Sequence, residues 1–276
     1  MQSQSPVSFR YGDESQQKGK NGMNVTEYGK ENEKLVLLLP GAFVNVEMCF
    51  GKVIPELEKE YHLVCIDYDG FDGKPGEFTS FIRMAKKIEW LIQSRFEGEV
   101  YAVYGSSVGA GLAGLLVQRQ NILIAHAVLG SPDMESCGEN TAKIRTKLIG
   151  TALIRMLRSG QIPDWVKNSM RKQVGEERAE DYIALIEGMP AILENVTRIS
   201  MERQFYSHLT TPLDQNIDVP GTRVHILYAA RMGDKYLERY ERHFNNPDIV
   251  KNDYGVEDLL YFYPEEWVQT FEECMR

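Results

Sequence analysis

Residues 100–111 read Val-Tyr-Ala-Val-Tyr-Gly-Ser-Ser-Val-Gly-Ala-Gly, and an apolar stretch follows to Gln118. Val100–Tyr104 has the composition of a buried strand, and Val108–Gln118 reads as an apolar helix. Between them Gly105-Ser106-Ser107-Val108-Gly109 is a G-x-S-x-G motif in a strand–turn–helix setting. A nucleophile on so sharp a turn takes a strained backbone. Gly105 and Gly109 keep neighbouring side chains from colliding while Ser107 Oγ stands clear above the sheet. The helix behind it would aim free N–H groups and its positive end at the same spot, which suits a developing oxyanion. The spacing Gly105–Gly111 does not fit a dinucleotide-binding G-x-G-x-x-G, and the chain has no Walker A and no H-E-x-x-H. No cofactor and no metal site are expected.

Working outward, the same alternation recurs. Val25–Tyr28, Lys34–Leu39, His62–Asp67, Ile122–Leu129, Val224–Ala229 and Asp248–Asn252 read as further strands. Val46–Glu60, Phe78–Phe96, Tyr236–Phe244 and Pro264–Met275 read as helices. Strand, helix and strand in succession predict an α/β fold with a mostly parallel central sheet flanked by helices. The alternation stops after Leu129. Thr141–Arg158, Pro163–Gln173, Glu176–Glu187 and Pro190–Leu209 all read as helix, with Pro163 and Pro190 in first turns. The expected organisation is a loose lead-in over 1–22 with an edge strand near Val7–Tyr11, a core of 23–137 and 217–276, and an inserted helical cap over 138–216.

Composition excludes several function classes. Against 40 Asp+Glu stand 31 Lys+Arg, a net charge of −9 that repels polyanions, so nucleic acid is not an expected partner. No apolar run reaches membrane-spanning length, and the amino terminus lacks a secretory pattern, which predicts a cytoplasmic protein without a membrane span. Cys49, Cys65, Cys137 and Cys274 are dispersed without a C-x-x-C pair and read as reduced, mostly buried thiols. Nothing in the pattern specifies an oligomer.

The G-x-S-x-G turn in this setting resembles that of the α/β-hydrolases, and the resemblance extends over roughly 34–137 and 221–275. Leu35-Val36-Leu37-Leu38-Leu39-Pro40-Gly41-Ala42-Phe43 is similar to the family's strand and oxyanion loop, which implies that Ala42 (or Phe43) gives one backbone N–H and Val108 the other. Asp67, Asp69, Gly70 and Gly73 resemble the next strand and its turn, where the two acids are expected to shape the loop. The strand Val224–Ala229 and the loop after it imply Asp234 as the carboxylate that orients a base. Asp133, in Gly-Ser-Pro-Asp-Met after the preceding strand, is the alternative acid. Where the family's last loop carries Gly-His before an acidic Leu-Leu helix start, this chain reads Tyr254-Gly255-Val256-Glu257-Asp258-Leu259-Leu260. Val256 therefore stands at the expected base position, and valine accepts no proton.

The five histidines offer a poor substitute. His126 and His225 fall inside expected strands, His62 at the wrong end of the sheet and His243 late in a helix. His208, at the end of the cap's last helix, remains as a candidate for the base. Met156, Met170 and Trp165 are candidates to line an acyl pocket in the cap. Two functions follow. One is a serine hydrolase acting on a small-molecule ester or related acyl substrate through Ser107. The other is a catalytically degenerate relative that binds a ligand or partner without turnover.

Overall fold

The computed structural model describes residues 17–18, 23–255 and 257–276. The edge strand expected near Val7–Tyr11 and the position of Val256 lie outside them. Among the described residues eight strands form one sheet: β1 (Gln17–Lys18), β2 (Asn24–Tyr28), β3 (Leu35–Leu39), β4 (His62–Asp67), β5 (Glu99–Ser106), β6 (Leu123–Gly130), β7 (Arg223–Ala229) and β8 (Asp248–Asn252). Their spatial order is β1-β2-β4-β3-β5-β6-β7-β8. β2 runs antiparallel to both neighbours, and every pairing from β4 to β8 is parallel. The all-apolar β3 is buried along its whole length, as a strand covered on both faces must be.

Helices cover both faces in chain order. α1 (Val46–Phe50) and α2 (Ile54–Leu57) follow β3, α3 (Phe81–Arg95) follows β4, and α4 (Val108–Arg119) follows β5. α3 buries Phe81, Met84, Ile88, Leu91 and Ile92, and Ser80 caps it by accepting from the Arg83 amide. The single helix expected over Val46–Glu60 is broken in two. Pro55 has no N–H to return to the Gly51 carbonyl, so the ladder cannot run through this point.

All regular structure between β6 and β7 is helical: α5 (Glu139–Arg145), a π-turn over Thr146–Gly150, α6 (Thr151–Ser159), α7 (Asp164–Val174), α8 (Glu176–Ile192) and α9 (Arg198–Thr210). The Cys137 amide donates to the Leu209 carbonyl at 2.8 Å, so the insertion leaves and re-enters the core at one place. Pro190 does not open a helix as expected but lies in the last turn of α8. Thr197, whose side chain accepts from the Ser200 amide, is the stronger start signal and sets the beginning of α9. α10 (Asp234–His243), α11 (Asp258–Phe262) and α12 (Pro264–Cys274) complete the chain. Behind the elbow, Tyr104 meets Trp267 edge-on at 4.8 Å and Trp267 stacks on Phe271 at 5.2 Å, fixing α12 to β5.

The insertion is bound to the core by a polar stripe. Ser200, Gln204 and Ser207, at i, i+4 and i+7 on α9, are at most 5% exposed. They accept from the backbone amides of Phe78, Phe43 and Phe81 at 3.0, 2.8 and 2.8 Å. These bonds satisfy loop amides that burial would otherwise strand without a partner. Cys49, Cys65 and Cys274 are buried free thiols, and Cys137 is partly buried. No helix among the described residues is long and apolar enough to cross a membrane.

Candidate active site

Ser107 is the single residue between β5 and α4, with φ 50° and ψ −109°. A non-glycine residue there is strained, and the surroundings hold it in place. Its amide donates to the Gly130 carbonyl at 2.9 Å. A Cβ on Gly105 would lie 2.2 Å from the Gly109 carbonyl oxygen, and one on Gly109 would lie 2.3 Å from that of Leu39. Only glycine permits this approach, which seats the start of α4 against the end of β3 and brings Val108 to the loop Pro40–Phe43. Ser107 is partly exposed, and its hydroxyl has no hydrogen-bond partner among the described residues.

That loop shows which amide is free to act. Phe43, at φ 63°, donates its N–H to Gln204 Oε1 at 2.8 Å. Ala42 is partly exposed, and no described residue accepts from its N–H. Val108 opens α4, so its N–H lies outside the intrahelical ladder. Of the two donors proposed on the oxyanion loop, Ala42 is therefore the one left to pair with Val108. Because Phe43 fixes Oε1 of Gln204, its Nε2 is the buried end without a partner.

Glu257 is the one carboxyl or imidazole group hydrogen-bonded to the elbow among the described residues. Ser106 Oγ donates to Glu257 Oε2 at 2.7 Å, while Oε1 is sealed from solvent and unpartnered. Burial pushes the Glu257 carboxyl up to about 7, against the opposing pull of the Ser106 hydroxyl and the Ser107 backbone. The residue sits at φ 65° just before α11. Its neighbour Asp258 pins the turn, accepting from the Gly255 amide at 3.0 Å and from the Tyr182 hydroxyl of α8. Cys49 is part of the same buried cluster. Burial and the proximity of Glu257 push its thiol up to about 12, so it stays protonated and inert.

A pH effect on stability follows from Glu257. The folded state holds its proton up to about 7, whereas the unfolded carboxyl releases it near the ordinary glutamate value of 4.5. Between those values the native state binds more protons, so this contribution is full at acid pH and is lost as pH rises through 7. Glu257→Gln keeps an acceptor for Ser106 and removes the titration. Urea unfolding at pH 5 and pH 8 should show the variant gaining about 3 kcal/mol on the wild type between the two conditions. Parallel pH dependences would contradict the burial of this carboxyl.

Comparison with known proteins agrees with the geometry. Residues 34–154 match the model of the α/β hydrolase fold family. This chain is an α/β-hydrolase-fold protein. A protein assigned to the α/β hydrolase family of Desulfitobacterium hafniense superposes with a TM-score of 0.75 at 22% identity, covering 91% of this chain and all of that one. A hydrolase from Pseudomonas aeruginosa gives 0.69 at 14% identity, covering 96% and 97%. A thermophilic esterase from Thermogutta terrifontis gives 0.67 at 16%, covering 96% and 98%. At such identities these likenesses show the fold alone. No curated protein matches the chain by sequence.

In this α/β-hydrolase fold the acids and histidines singled out from sequence are dispersed. Asp234 follows β7 as expected but is exposed in the first turn of α10, where Gly233 is the cap and no hydrogen bond holds the carboxylate. Asp133 is engaged by Arg239 of α10, which also reaches Glu135. Neither acid is bonded to a histidine. His126 Nδ1 lies 3.2 Å from His225 Nε2, and His225 Nδ1 lies 3.0 Å from Asp248 at the amino end of β8, away from the elbow. His62 contacts Glu27, and His243 contacts the Asp214 carbonyl.

His208 comes nearer. With Val108, Leu112 and Met134 it lines a cavity of about 20 Å³, and burial lowers its pKa against the pull of Asp133. No hydrogen bond joins it to Ser107. Trp165, 75% exposed, lines no acyl pocket; the start of α7 offers it nothing to pack on. Asp67 accepts from the Val46 amide at 2.7 Å and Asp69 pairs with Lys87, in keeping with their expected loop-shaping part. Sequence reading missed Glu257 as a site residue. The signal was an acid directly beside the missing histidine.

Proposed function

We propose that this chain is a hydrolase of small-molecule carboxyl esters in which Ser107 is the nucleophile and Glu257 the general base. What carries the reading is a strained serine turn beside a buried carboxyl group that titrates near neutrality, the range in which a carboxylate serves best as a base. Ionised Glu257, which in the resting structure holds the neighbouring Ser106 hydroxyl, takes the Ser107 proton as Oγ turns towards it and bonds to the substrate carbonyl carbon. The resulting oxyanion rests on the Ala42 and Val108 amides. Glu257 then returns the proton to the leaving alkoxide, and alcohol departs from an acyl-Ser107. Water gives a proton to Glu257 as its oxygen attacks the acyl carbon, and Ser107 Oγ leaves with that proton. The helical segment 138–216 acts as a cap, held over the oxyanion loop by Gln204 and over the Glu257 turn by Tyr182.

The experiment is hydrolysis of p-nitrophenyl esters of increasing acyl length. Saturable turnover with an ascending pH limb near 7 is expected, and turnover no faster than the buffer blank would overturn the reading.

A second reading, ligand binding without turnover, is favoured by a Ser107 hydroxyl without a hydrogen-bond partner among the described residues and by Val256 in the sequence place of the base. It predicts that Val256→His raises p-nitrophenyl acetate hydrolysis from a negligible level, and that adding Ser107→Ala removes the gain. Under the hydrolase reading the wild type already turns over.

A further inference from the structure

From Asn140 to Pro163 the chain carries Lys143, Arg145, Lys147, Arg155 and Arg158 and not one carboxylate, in a protein of net charge −9. The segment is α5, the π-turn and α6, continuous in helical backbone angles. Ala142, Gly150, Ile154 and Leu157 face inward. Outward, Ile144, Leu148 and Ile149 are 60%, 66% and 59% exposed. The π-turn adds a residue to the helical repeat, which helps bring two successive aliphatic residues, Leu148 and Ile149, to the outer surface. Arg145, Lys147 and Arg155 have no acidic partner among the described residues; the adjoining groove of about 410 Å³ adds Ile199 and two arginines already neutralised by ion pairs, Arg198 with Glu202 and Arg203 with Glu77.

We propose that this face of the helical insertion docks on the surface of an anionic lipid bilayer. Bare aliphatic tips flanked by cations are what an interfacial helix presents, with the tips entering the acyl boundary and the cations meeting anionic headgroups. A second copy fits poorly, because an isologous contact would set the same cations against one another. Nucleic acid would satisfy the cations and leave three aliphatic side chains in water. The proposal is independent of whether Ser107 is catalytic.

The test is co-sedimentation of the full chain with vesicles of phosphatidylcholine alone and of phosphatidylcholine mixed with phosphatidylglycerol. The bound fraction should rise about tenfold with the anionic lipid and fall in high salt. The triple variant Ile144→Ser, Leu148→Ser, Ile149→Ser and the pair Lys143→Glu, Lys147→Glu should each lose that binding. These positions are exposed, so thermal unfolding of both variants should match the wild type. Equal or absent sedimentation with the two vesicle types would overturn the proposal. So would a dimer in gel filtration that the triple variant abolishes, because the face would then be covered by another copy.

Discussion

Ser107→Ala should lower kcat for p-nitrophenyl ester hydrolysis by about 10⁴–10⁶, and Glu257→Gln by about 10²–10⁴. Alanine removes the proposed nucleophile, while the second hydroxyl on the elbow, that of Ser106, stays buried and bonded to Glu257. Glutamine keeps the size of the side chain and an acceptor for the 2.7 Å bond from Ser106, so the loss falls on proton transfer and not on packing. KM should change little in either variant, since neither alters the oxyanion amides. The ascending pH limb near 7 should vanish in what activity Glu257→Gln retains. His208→Ala should leave kcat within a few-fold of the wild type, because among the described residues the elbow is hydrogen-bonded to Glu257 and not to His208. A collapse of activity in His208→Ala with an unchanged pH limb in Glu257→Gln would transfer the base to α9.

Gly109→Ala should be nearly as damaging to the fold as Ser107→Ala is to the chemistry. The added Cβ would lie 2.3 Å from the Leu39 carbonyl oxygen and 2.6 Å from that of Pro40, and both obstacles are backbone. Relief requires α4 to move off the end of β3, in the middle of the sheet. A loss of about 4 kcal/mol or more is expected in urea unfolding, most of the stability of a domain at the low end of the ordinary range. Gly111, two residues further along α4, has nothing within 4 Å of its Cβ position. Gly111→Ala should therefore stabilise by about 0.5–1 kcal/mol through helix propensity. Equal effects at the two positions would mean that the close approach of α4 to β3 is not as described.

The contrast between Gly109 and Gly111 also shows why the fold was legible. The turn needs glycine for a local reason, and its neighbours in sequence, a buried strand and an apolar helix, identify the setting. Continuous apolar runs such as Leu35–Leu39 gave the strands for the same reason. Boundaries failed where one residue outweighed the pattern, as at Pro55, which divides α1 from α2, and at Thr197, which starts α9 in place of Pro190. The site was only half legible. Ser107 and the backbone donors proposed for it are placed by local sequence, whereas the carboxyl group bonded to the elbow comes from a loop 151 residues away. A carboxyl group becomes a base near neutrality only through burial, and burial is a property of the assembled fold. Gln204 left no local trace for a like reason. Its place is set by the docking of α9, and only the spacing of Ser200, Gln204 and Ser207 on one helix face hinted at it.

Labelling of the intact protein by a fluorophosphonate decides whether Ser107 is an activated nucleophile, because the probe reports such a serine without a substrate having to be known. A single adduct on Ser107 is expected, formed at a rate that rises with pH to a plateau with a midpoint near 7, absent in Ser107→Ala and slowed by about 10² or more in Glu257→Gln. No adduct in the wild type, or labelling of equal rate in Glu257→Gln, would contradict these roles of Ser107 and Glu257.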